Sequence, residues 1–507
     1  MGGGDAVAVE SAQCLVEHLE RDVRGVHLDE PAVDDQHRGG VQAIPTPSPT
    51  IETADRTTRP FPAPEPTARR PGRREDGAMV PDPVAPAPSE AKAAVLDGAH
   101  RLLHPNRVET FASIGVPLAI DRREGYRFWD LDGHELADLH LNGGVFNLGH
   151  RHPDVVATLV EAAQRYDIGN HHFPSEPKVA LADALLATDP GDRLTRVVFA
   201  PSGGEAIDVA VRSARRATGR RVVVAWDCAY HGRSGISGAA GDPKTAAAFL
   251  SDRPDEFRTV PYGDLDALAA ALAPGDVAAV LAEVIPATAG FPLPPDGFYP
   301  GVRTLCDDHD ALLVADEVQT GLGRSGTVWA IEGFGIAPDV LVTGKGLSGG
   351  LYPMSAALLS DRAGQWLVDD GWGYVSTFGG SDLGCEVART ALALSTEPTT
   401  LDRVARTSER MAAGLARIAA DHPFLVEVRR RGVIMALRFD DRLGAITMAR
   451  ALYESGVWAM FAGFDASVLQ WKPGLLVDDD WIDDVLERVE TAITGVEARR
   501  TPGDLRP

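Results

Sequence analysis

The residues best suited to chemistry are a lysine and an aspartate that each follow an apolar run. Lys345 lies in LVTGKGLSGG between Gly344 and Gly346, so no neighbouring side chain crowds its amine. Asp316 ends the run ALLVAD, which predicts a buried strand with its acid at the carboxyl end. A buried amine beside a buried acid suits pyridoxal phosphate. The lysine would form a Schiff base with the cofactor, and the aspartate would keep its pyridine nitrogen protonated.

A glycine-containing turn earlier in the chain suits the phosphate of the same cofactor. In FAPSGGEA, Ser202, Gly203 and Gly204 lie between a predicted strand and a helix predicted to begin near Glu205. Backbone amides at the start of a helix bind phosphate, and glycines allow its close approach. The alternative is an ordinary turn in which Ser202 is the N-cap.

Each of these features alone has a plainer explanation. A lysine after a strand is usually a solvated loop residue, and an aspartate there is often a helix cap or a surface acid. Tyr230 and His231 follow the next predicted strand, where an aromatic ring could stack on a planar cofactor, but such a pair is also common in cores. The hypothesis rests on several segments that suit one cofactor together.

Composition limits the classes of function. The chain has 507 residues, 44% of them hydrophobic, with a net charge of −24. This charge argues against nucleic acid and anionic membranes as partners. No apolar run reaches the roughly 18 residues of a membrane span, and the first residues lack the pattern of a secretory signal. The four cysteines are scattered, which predicts reduced thiols and a cytoplasmic protein acting on small molecules.

The chain is predicted to have an α/β fold made of two domains and two tails. Apolar runs at 196–200, 221–226, 277–285, 311–316 and 340–344 alternate with helical patterns, which indicates a mostly parallel sheet covered by helices. YRFWDLDGHELADLHL predicts a hairpin, and the last hundred residues predict a smaller α+β unit. The predicted segments are a disordered Pro-rich extension (1–94), an N-terminal part of the small domain (95–150), a large cofactor-binding domain (151–385), a C-terminal small domain (386–497) and a disordered tail (498–507).

Two alternatives remain open for the N-terminal extension. It could be a regulatory or docking tail, or translation could begin at Met79 so that the preceding residues are not part of the natural product. The sequence does not decide between them.

Six motifs occur in one order along the chain: LGHRHPDV, FAPSGGEA, YHGR, ADEVQTGLGRSG, TGKG and STFGG. In this the sequence resembles the class III aminotransferases of the pyridoxal-phosphate fold-type I superfamily, over roughly residues 100–497. The resemblance implies a large domain with a mostly parallel sheet, a small α+β domain and a homodimer with shared active sites. It also implies transfer of an amino group between an amine or amino acid and a keto acid or aldehyde.

The resemblance implies roles for individual residues. Lys345 would be the Schiff-base lysine and the proton shuttle, and Asp316 would pair with the pyridine nitrogen. Thr377, and with it Phe378, would reach across the dimer to the phosphate of the partner's site. The other cofactor contacts would be the backbone of Gly203 and Gly204 with Ser202 beside them, Val318 and Tyr230 on the two ring faces, Gln319 near the ring hydroxyl, and His231 and Glu283.

Departures from the family pattern concern the substrate more than the chemistry. Gly204 replaces the usual threonine, so the phosphate loses one hydroxyl donor. Thr288 stands where a gating glutamate is usual, and Gln470 replaces the arginine that binds a carboxylate, whose charge a glutamine cannot supply. This predicts poor use of 4-aminobutyrate, ornithine or acetylornithine and better use of an ω-amine. Lys472 or Arg324 could supply the missing cation, although Lys472 is expected to be a surface residue.

Two adjacent histidines could suggest a metal site or a part of the substrate entrance. His171 and His172 are adjacent and would point apart in an extended chain, which is poor geometry for a metal, so no metal site is predicted. By the resemblance, His172 or Phe173 could shape the substrate entrance.

A lyase or an aminomutase of the same fold is the alternative activity, and a non-catalytic scaffold is a remote one.

Overall fold

A seven-stranded sheet forms the centre of the computed structural model, which describes residues 88–499 of the chain. Its strands are β4 Leu194–Ala200, β5 Val222–Trp226, β6 Phe257–Val260, β7 Val277–Glu283, β8 Leu312–Asp316, β9 Val340–Thr343 and β10 Ser355–Ser360. They are ordered β4-β10-β9-β8-β7-β5-β6, and β10 runs against its two neighbours while the others share one direction. The sheet is mostly parallel, which confirms the predicted α/β fold.

The strands are short runs of Val, Leu and Ala because both faces of the sheet are covered. Side chains alternate between the faces, so along β8 Leu313 enters one hydrophobic cluster and Val314 the other. The helix Gly203–Thr218 covers the Val314 face, and the helix Phe298–Asp308 covers the Leu313 face. This double cover holds the carboxyl ends of the strands at a fixed edge.

The helices account for most of the remaining described chain. Several have a proline in the first turn, where its missing N–H is harmless, or a serine or aspartate N-cap. No described helix is both long and apolar enough to cross a membrane. Their bounds are Glu90–Leu102, Pro105–Ser113, Leu141–Gly144, Pro153–Ala163, Glu176–Leu186, Gly203–Thr218, Pro243–Ala248, Leu265–Leu272, Phe298–Asp308, Asp361–Gly364, Trp366–Asp369, Asp382–Thr396, Pro398–Asp421, Gly444–Glu454 and Asp479–Arg499.

Two four-stranded sheets build the smaller domain. The strands are β1 Ile120–Glu124, β2 Arg127–Asp130, β3 Glu135–Asp138, β11 Leu425–Arg431, β12 Ile434–Phe439, β13 Val457–Trp458, β14 Met460–Phe461 and β15 Val468–Trp471. Their orders are β1-β2-β3-β13 and β11-β12-β15-β14, and β2 and β3 form the predicted hairpin. One hydrophobic cluster joins Phe128 and Leu136 to Met411, Trp471 and Ile493, which supports assigning 95–150 to this domain.

The structure departs from the sequence interpretation at three places. Strand β10 was not predicted, although it is buried throughout. The helix Glu90–Leu102 begins before the boundary at 94, and Lys92 anchors it with a buried ion pair to Asp130 at 2.6 Å. The last helix ends at Arg499, beyond the predicted boundary at 498. The remainder of the predicted extension (1–87) and tail (500–507) lies outside the described residues.

Candidate active site

The carboxyl ends of β7, β8 and β9 bring the predicted catalytic residues to one edge of the sheet. Glu283 ends β7 and lies opposite Asp316, which ends β8. Lys345 follows β9 after one intervening residue, Gly344, and begins a 3₁₀ turn, Lys345–Ser348. In parallel α/β sheets this edge is where ligands bind. Residues from distant parts of the sequence therefore share one site.

Asp316 is buried, and each of its carboxylate oxygens has a partner. Oδ2 lies 2.7 Å from Nδ1 of His231, and Oδ1 accepts from the N–H of Val318 at 3.0 Å. The His231 ring is itself fully buried, and its Nε2 has no partner among the described residues. A carboxylate held in this way is oriented to meet a cationic ring nitrogen.

Glu283 is a second buried acid beside Asp316. Its Oε2 accepts from the N–H of Tyr230 at 2.8 Å, and its Oε1 accepts from the N–H of Ala287 at 3.0 Å. Burial, reinforced by the Asp316 carboxylate, raises the pKa of Glu283 to about 7. Glu283 therefore holds its proton to a higher pH than an exposed glutamate does.

The amine of Lys345 lies in a strained turn. The residue has φ 43°, a value that is costly for a side chain and is typical of functional sites. Burial lowers the pKa of Lys345; the carboxylates of Asp316 and Glu283 oppose this effect, and Arg324 adds to it. A lysine with a lowered pKa is neutral more often, as a nucleophile or base must be.

The helix Gly203–Thr218 begins at the same edge. It starts at Gly203, earlier than the predicted start near Glu205. The Ser202 hydroxyl accepts from the N–H of Glu205 at 3.3 Å, so this serine is the N-cap. The N-terminal amides of the helix carry partial positive charge and attract an anion.

Gly204 lies close to two serine hydroxyls beside this helix start. A Cβ at Gly204 would lie 3.2 Å from Oγ of Ser237 and 3.6 Å from Oγ of Ser234. Two hydroxyls thus lie where a threonine side chain is usual in the family pattern. The helix amides and these hydroxyls suit a phosphate group.

Val318 links the helix start to the lysine turn. A Cβ at Gly203 would lie 3.0 Å from Cγ1 of Val318, and a Cβ at Gly344 would lie 3.4 Å from the same atom. Tyr230, expected on the other ring face, is 37% exposed and available to a ligand.

Gly143, which the sequence analysis did not assign, contacts the lysine from the opposite side. A Cβ there would lie 3.1 Å from Cε of Lys345 and 3.0 Å from Oε1 of Gln319. Gly143 also has φ 71°, which favours glycine. The Gly-Gly pair in LNGGVFNLGH was the sequence feature that pointed to this close approach.

The segment that carries Thr377 lies on the surface. Thr377 is exposed, and Phe378 and Trp372 are 51% and 72% exposed. The Tyr374 hydroxyl donates to Oε1 of Glu205 at 2.7 Å, which connects this segment to the start of the helix Gly203–Thr218.

His172 and Phe173 lie next to this segment. The His172 ring is 5.6 Å from the Trp372 ring, and Phe173 is 73% exposed. The prediction that His171 and His172 point apart is wrong, since their ring centroids are 4.0 Å apart in a bent segment. In the part of the chain that the structure describes, no group of three or more His, Cys, Asp or Glu side chains could hold a metal ion.

Thr288 and Gln470 occupy the two positions where the sequence departs from the family pattern. The Thr288 carbonyl accepts from the N–H of Phe464 at 3.0 Å, so it is held by the small domain. Gln470 is buried on β15, and its Oε1 accepts from Nζ of Lys472 at 2.5 Å.

The expectation that Lys472 is a surface residue is wrong. Its side chain is 0% exposed, and its Nζ lies 5.5 Å from the centroid of the Phe291 ring. It lies on the same face of the chain as Gln470 because side chains two positions apart in extended backbone share a face. Arg324 is also 0% exposed, and burial lowers its pKa to about 10. Both cations therefore belong to the interior.

Taken together, the residues fit pyridoxal phosphate. Lys345 offers an amine with a lowered pKa, Asp316 offers a buried acid held by His231, and the helix start at Gly203 offers amides with two serine hydroxyls beside Gly204. These are the groups that the aldehyde, the ring nitrogen and the phosphate require.

Comparison with known proteins agrees with a site that fits pyridoxal phosphate. Residues 111–493 match the family described as Aminotransferase class-III. An uncharacterised aminotransferase of Archaeoglobus fulgidus is 42% identical over 81% of this chain and 96% of its own. The acetylornithine aminotransferase of Xanthomonas axonopodis pv. citri is 36% identical over 74% of this chain and 92% of its own. The ornithine aminotransferase structure from Toxoplasma gondii superposes with a TM-score of 0.74 at 26% identity, over 81% of this chain and 96% of that one.

Proposed function

Because this chain belongs to the class III aminotransferases, which transfer amino groups with pyridoxal phosphate, we propose that Lys345 and Asp316 are its catalytic residues. The observation that carries the proposal is their convergence with a glycine-lined helix start at one edge of the sheet. The donor is an amine or amino acid, and the acceptor is a keto acid or aldehyde.

Lys345 and Asp316 have different roles in the proposed reaction. Lys345 would hold the aldehyde end of the cofactor, and its amine would take up and return the proton at the reacting carbon. Its lowered pKa suits both tasks. Asp316, oriented by His231, holds a proton on the ring nitrogen. When bound, the cofactor supplies a cationic ring that stabilises negative charge on the substrate carbon.

The remaining cofactor contacts follow from their position. Gly203 and Gly204 would donate backbone N–H groups to the phosphate, with Ser202 as the cap of the same helix. Val318 and Tyr230 would contact the ring, Gln319 would bind near its hydroxyl, and Glu283 accepts a hydrogen bond from the backbone of Tyr230.

The enzyme is a homodimer in this proposal, and Thr377 completes the partner's phosphate site. The exposed aromatic side chains of Trp372 and Phe378 support this, since large exposed apolar side chains often mark an interface. Cys228, Cys306 and Cys385 are free thiols in the described part of the chain, which supports a reducing compartment such as the cytoplasm.

The donor is proposed not to be held by a distal carboxylate. Relatives are named for acetylornithine and ornithine, but Thr288 and Gln470 replace the gate and the arginine expected for such substrates. His172 and Phe173 lie near the entrance in this proposal. An ω-amine, or an amino group on a larger and less charged molecule, is the expected donor.

A donor screen tests the proposal. Wild-type protein loaded with pyridoxal phosphate is mixed with glutamate, alanine, 4-aminobutyrate, acetylornithine, ornithine, putrescine and 1-phenylethylamine, and loss of the aldehyde form of the cofactor is followed by absorbance. Lys345→Ala is the control that does not convert. A fastest rate with 4-aminobutyrate or acetylornithine would contradict the donor proposal, and no conversion with any donor would contradict the catalytic assignment.

A further inference from the structure

Arg324 is a fully buried cation that has no hydrogen-bond partner in the described part of the chain. This holds for all three nitrogens of its guanidinium group. Buried guanidinium groups normally donate to several acceptors, because an unsatisfied buried charge is costly. Such a group marks a place where an anion is expected to bind.

Lys472 is a second buried cation, and the group that its amine contacts carries no charge. Its Nζ donates to the neutral amide oxygen of Gln470 at 2.5 Å. Burial lowers the pKa of Lys472 well below its ordinary value, and the charges of Arg324 and Lys345 lower it further, while Asp138 opposes them. The two buried cations therefore act on each other and on the active-site lysine.

Asp138 is not a full counter-ion for this pair because its oxygens are already engaged. Oδ1 accepts from the N–H groups of His140 at 3.0 Å and Leu141 at 2.7 Å, and Oδ2 lies 2.9 Å from Nε2 of His150. His140 itself lies among the cations. Burial lowers the pKa of its imidazole, and Lys472, Lys345 and Arg324 lower it further. Among the described residues, neither Arg324 nor Lys472 has a carboxylate in direct contact.

Two adjacent glycines connect these cations to the reacting amine. A Cβ at Gly144 would lie 2.7 Å from Nη2 of Arg324, and a Cβ at Gly143 would lie 3.1 Å from Cε of Lys345. Consecutive Cα atoms are about 3.8 Å apart. The guanidinium of Arg324 and the side chain of Lys345 therefore lie against neighbouring residues of one segment.

The segment that separates the cations from the amine is strained. Leu141, Asn142, Gly143 and Gly144 have consecutive φ values of 50°, 48°, 71° and 98°, and two of these residues carry side chains. Backbone in this region is costly and persists where the surrounding structure holds it in place. The φ values are not helical, so Leu141–Gly144 is an irregular turn, and its Gly144 lies against the guanidinium of Arg324.

We propose that Arg324 and Lys472 form a carboxylate site beside Lys345, which binds the carboxylate of a 2-amino or 2-oxo acid when the Leu141–Gly144 turn shifts. This inference rests on the proposed function. The guanidinium fork matches a carboxylate bidentately, and a bound carboxylate favours the charged form of Lys472, which then adds a point charge. Since the cations adjoin the reacting amine, the carboxylate is the one attached to the reacting carbon. Glutamate or alanine thus serve as amino-group partners even without the usual arginine.

Lys472→Met, which keeps side-chain length and removes the charge, tests the proposal together with Arg324→Met. Binding of glutarate, an unreactive diacid, to the cofactor-loaded protein is measured by calorimetry, and thermal unfolding is measured without ligand. We expect each variant to weaken glutarate binding at least tenfold and to raise the unfolding midpoint by about 3 °C, because a buried unpaired charge is removed. The ratio of kcat/KM for glutamate to that for 1-phenylethylamine should fall by more than tenfold.

Lys92→Met is the matched control, since Lys92 is a buried lysine that has its own carboxylate partner in Asp130. It should lower the unfolding midpoint and leave glutarate binding unchanged. If Lys472→Met behaves like Lys92→Met, or if wild-type protein does not bind glutarate, the carboxylate site is wrong. If Arg324→Met does not fold, Lys472→Met alone decides. Failure of the proposed function would be seen separately, because wild-type protein would then convert neither glutamate nor 1-phenylethylamine.

Discussion

The acidic and the basic sides of the active site differ in how well their charges are satisfied. On the acidic side, Asp316 is held by His231 and a backbone N–H, and Glu283 accepts from two backbone N–H groups. On the basic side, Arg324 has no hydrogen-bond partner in the described part of the chain, and Lys472 has only a neutral amide. One side is complete by itself, and the other requires an anion.

This difference matches how long the two kinds of ligand, the cofactor and the substrate, stay bound. A cofactor that stays bound through many turnovers needs groups oriented in advance, and hydrogen bonds on both oxygens of Asp316 provide this. A substrate carboxylate arrives and leaves, so the groups that bind it are unpaired in its absence. Unsatisfied charge lowers stability, and such a cost is common at functional sites.

The largest expected effect comes from removing the amine on which both sides act. Lys345→Ala should lower the rate of amino transfer by about 10⁴-fold or more, because both the covalent link and the proton shuttle are lost. Borohydride treatment of purified protein followed by mass spectrometry measures the link. A reducible cofactor linkage retained in this variant would show that another lysine carries the cofactor.

Breaking the acidic side at its centre should have the next largest effect. Asp316→Asn is expected to retain cofactor but slow the half-reaction with 1-phenylethylamine by roughly 10³-fold, because an amide cannot hold the ring cation. Stopped-flow absorbance measures the rate. A loss smaller than about tenfold, or about 1.4 kcal/mol of barrier, would mean that Asp316 does not have this role. Asp339→Asn, a buried acid paired with Arg303 at 2.7 Å, is the control for general destabilisation.

The proposed second subunit extends the comparison to the phosphate end of the site. Thr377→Glu places a negative charge where the partner's phosphate would lie and should abolish activity. Mixing it with inactive Lys345→Ala under conditions of subunit exchange should restore up to about a quarter of wild-type activity, because mixed dimers contain one intact site. Thr377 would belong to its own chain's site if exchange were demonstrated without recovery.

The smallest expected effect concerns Glu317, a buried acid next to Asp316 that accepts from the N–H of Ile331 at 2.7 Å and from the Thr320 hydroxyl. Burial raises its pKa from 4.5 to about 7. Between these values the folded state binds more protons than the unfolded state, so the free energy of unfolding falls as the pH rises through this window. Glu317→Gln should remove up to about 3 kcal/mol of that fall.

Urea unfolding of Glu317→Gln and wild-type protein from pH 4.5 to 8 measures this difference. Glu454→Gln, an exposed acid paired with Arg450, is the control and should leave the slope unchanged. An unchanged slope in Glu317→Gln would show that Glu317 is charged in the folded protein throughout this range.

The sequence predicted most of the large sheet because its parallel strands are covered on both faces and appear as continuous apolar runs. It missed β10, whose residues SAALLS are also mostly apolar. This short run comes shortly after Lys345 and its glycines in the sequence, where a loop was expected. The acid and the lysine could be predicted because each follows such a run directly. The predictions about Lys472 and about His171 and His172 were wrong, because burial and chain bends depend on segments distant in sequence.

The sequence by itself determined the family, the cofactor and the edge of the sheet at which chemistry occurs, because these depend on residue types placed just after strands and at a helix start. Only the tertiary structure decided which charges are satisfied. Asp138, Gly144, Arg324 and Lys472 come from four separate segments, and no local pattern shows that two of them are buried cations with no ion-pair partner within residues 88–499. Hydrogen-bond satisfaction depends on every group that packs around an atom, and that neighbourhood exists only once the chain has folded.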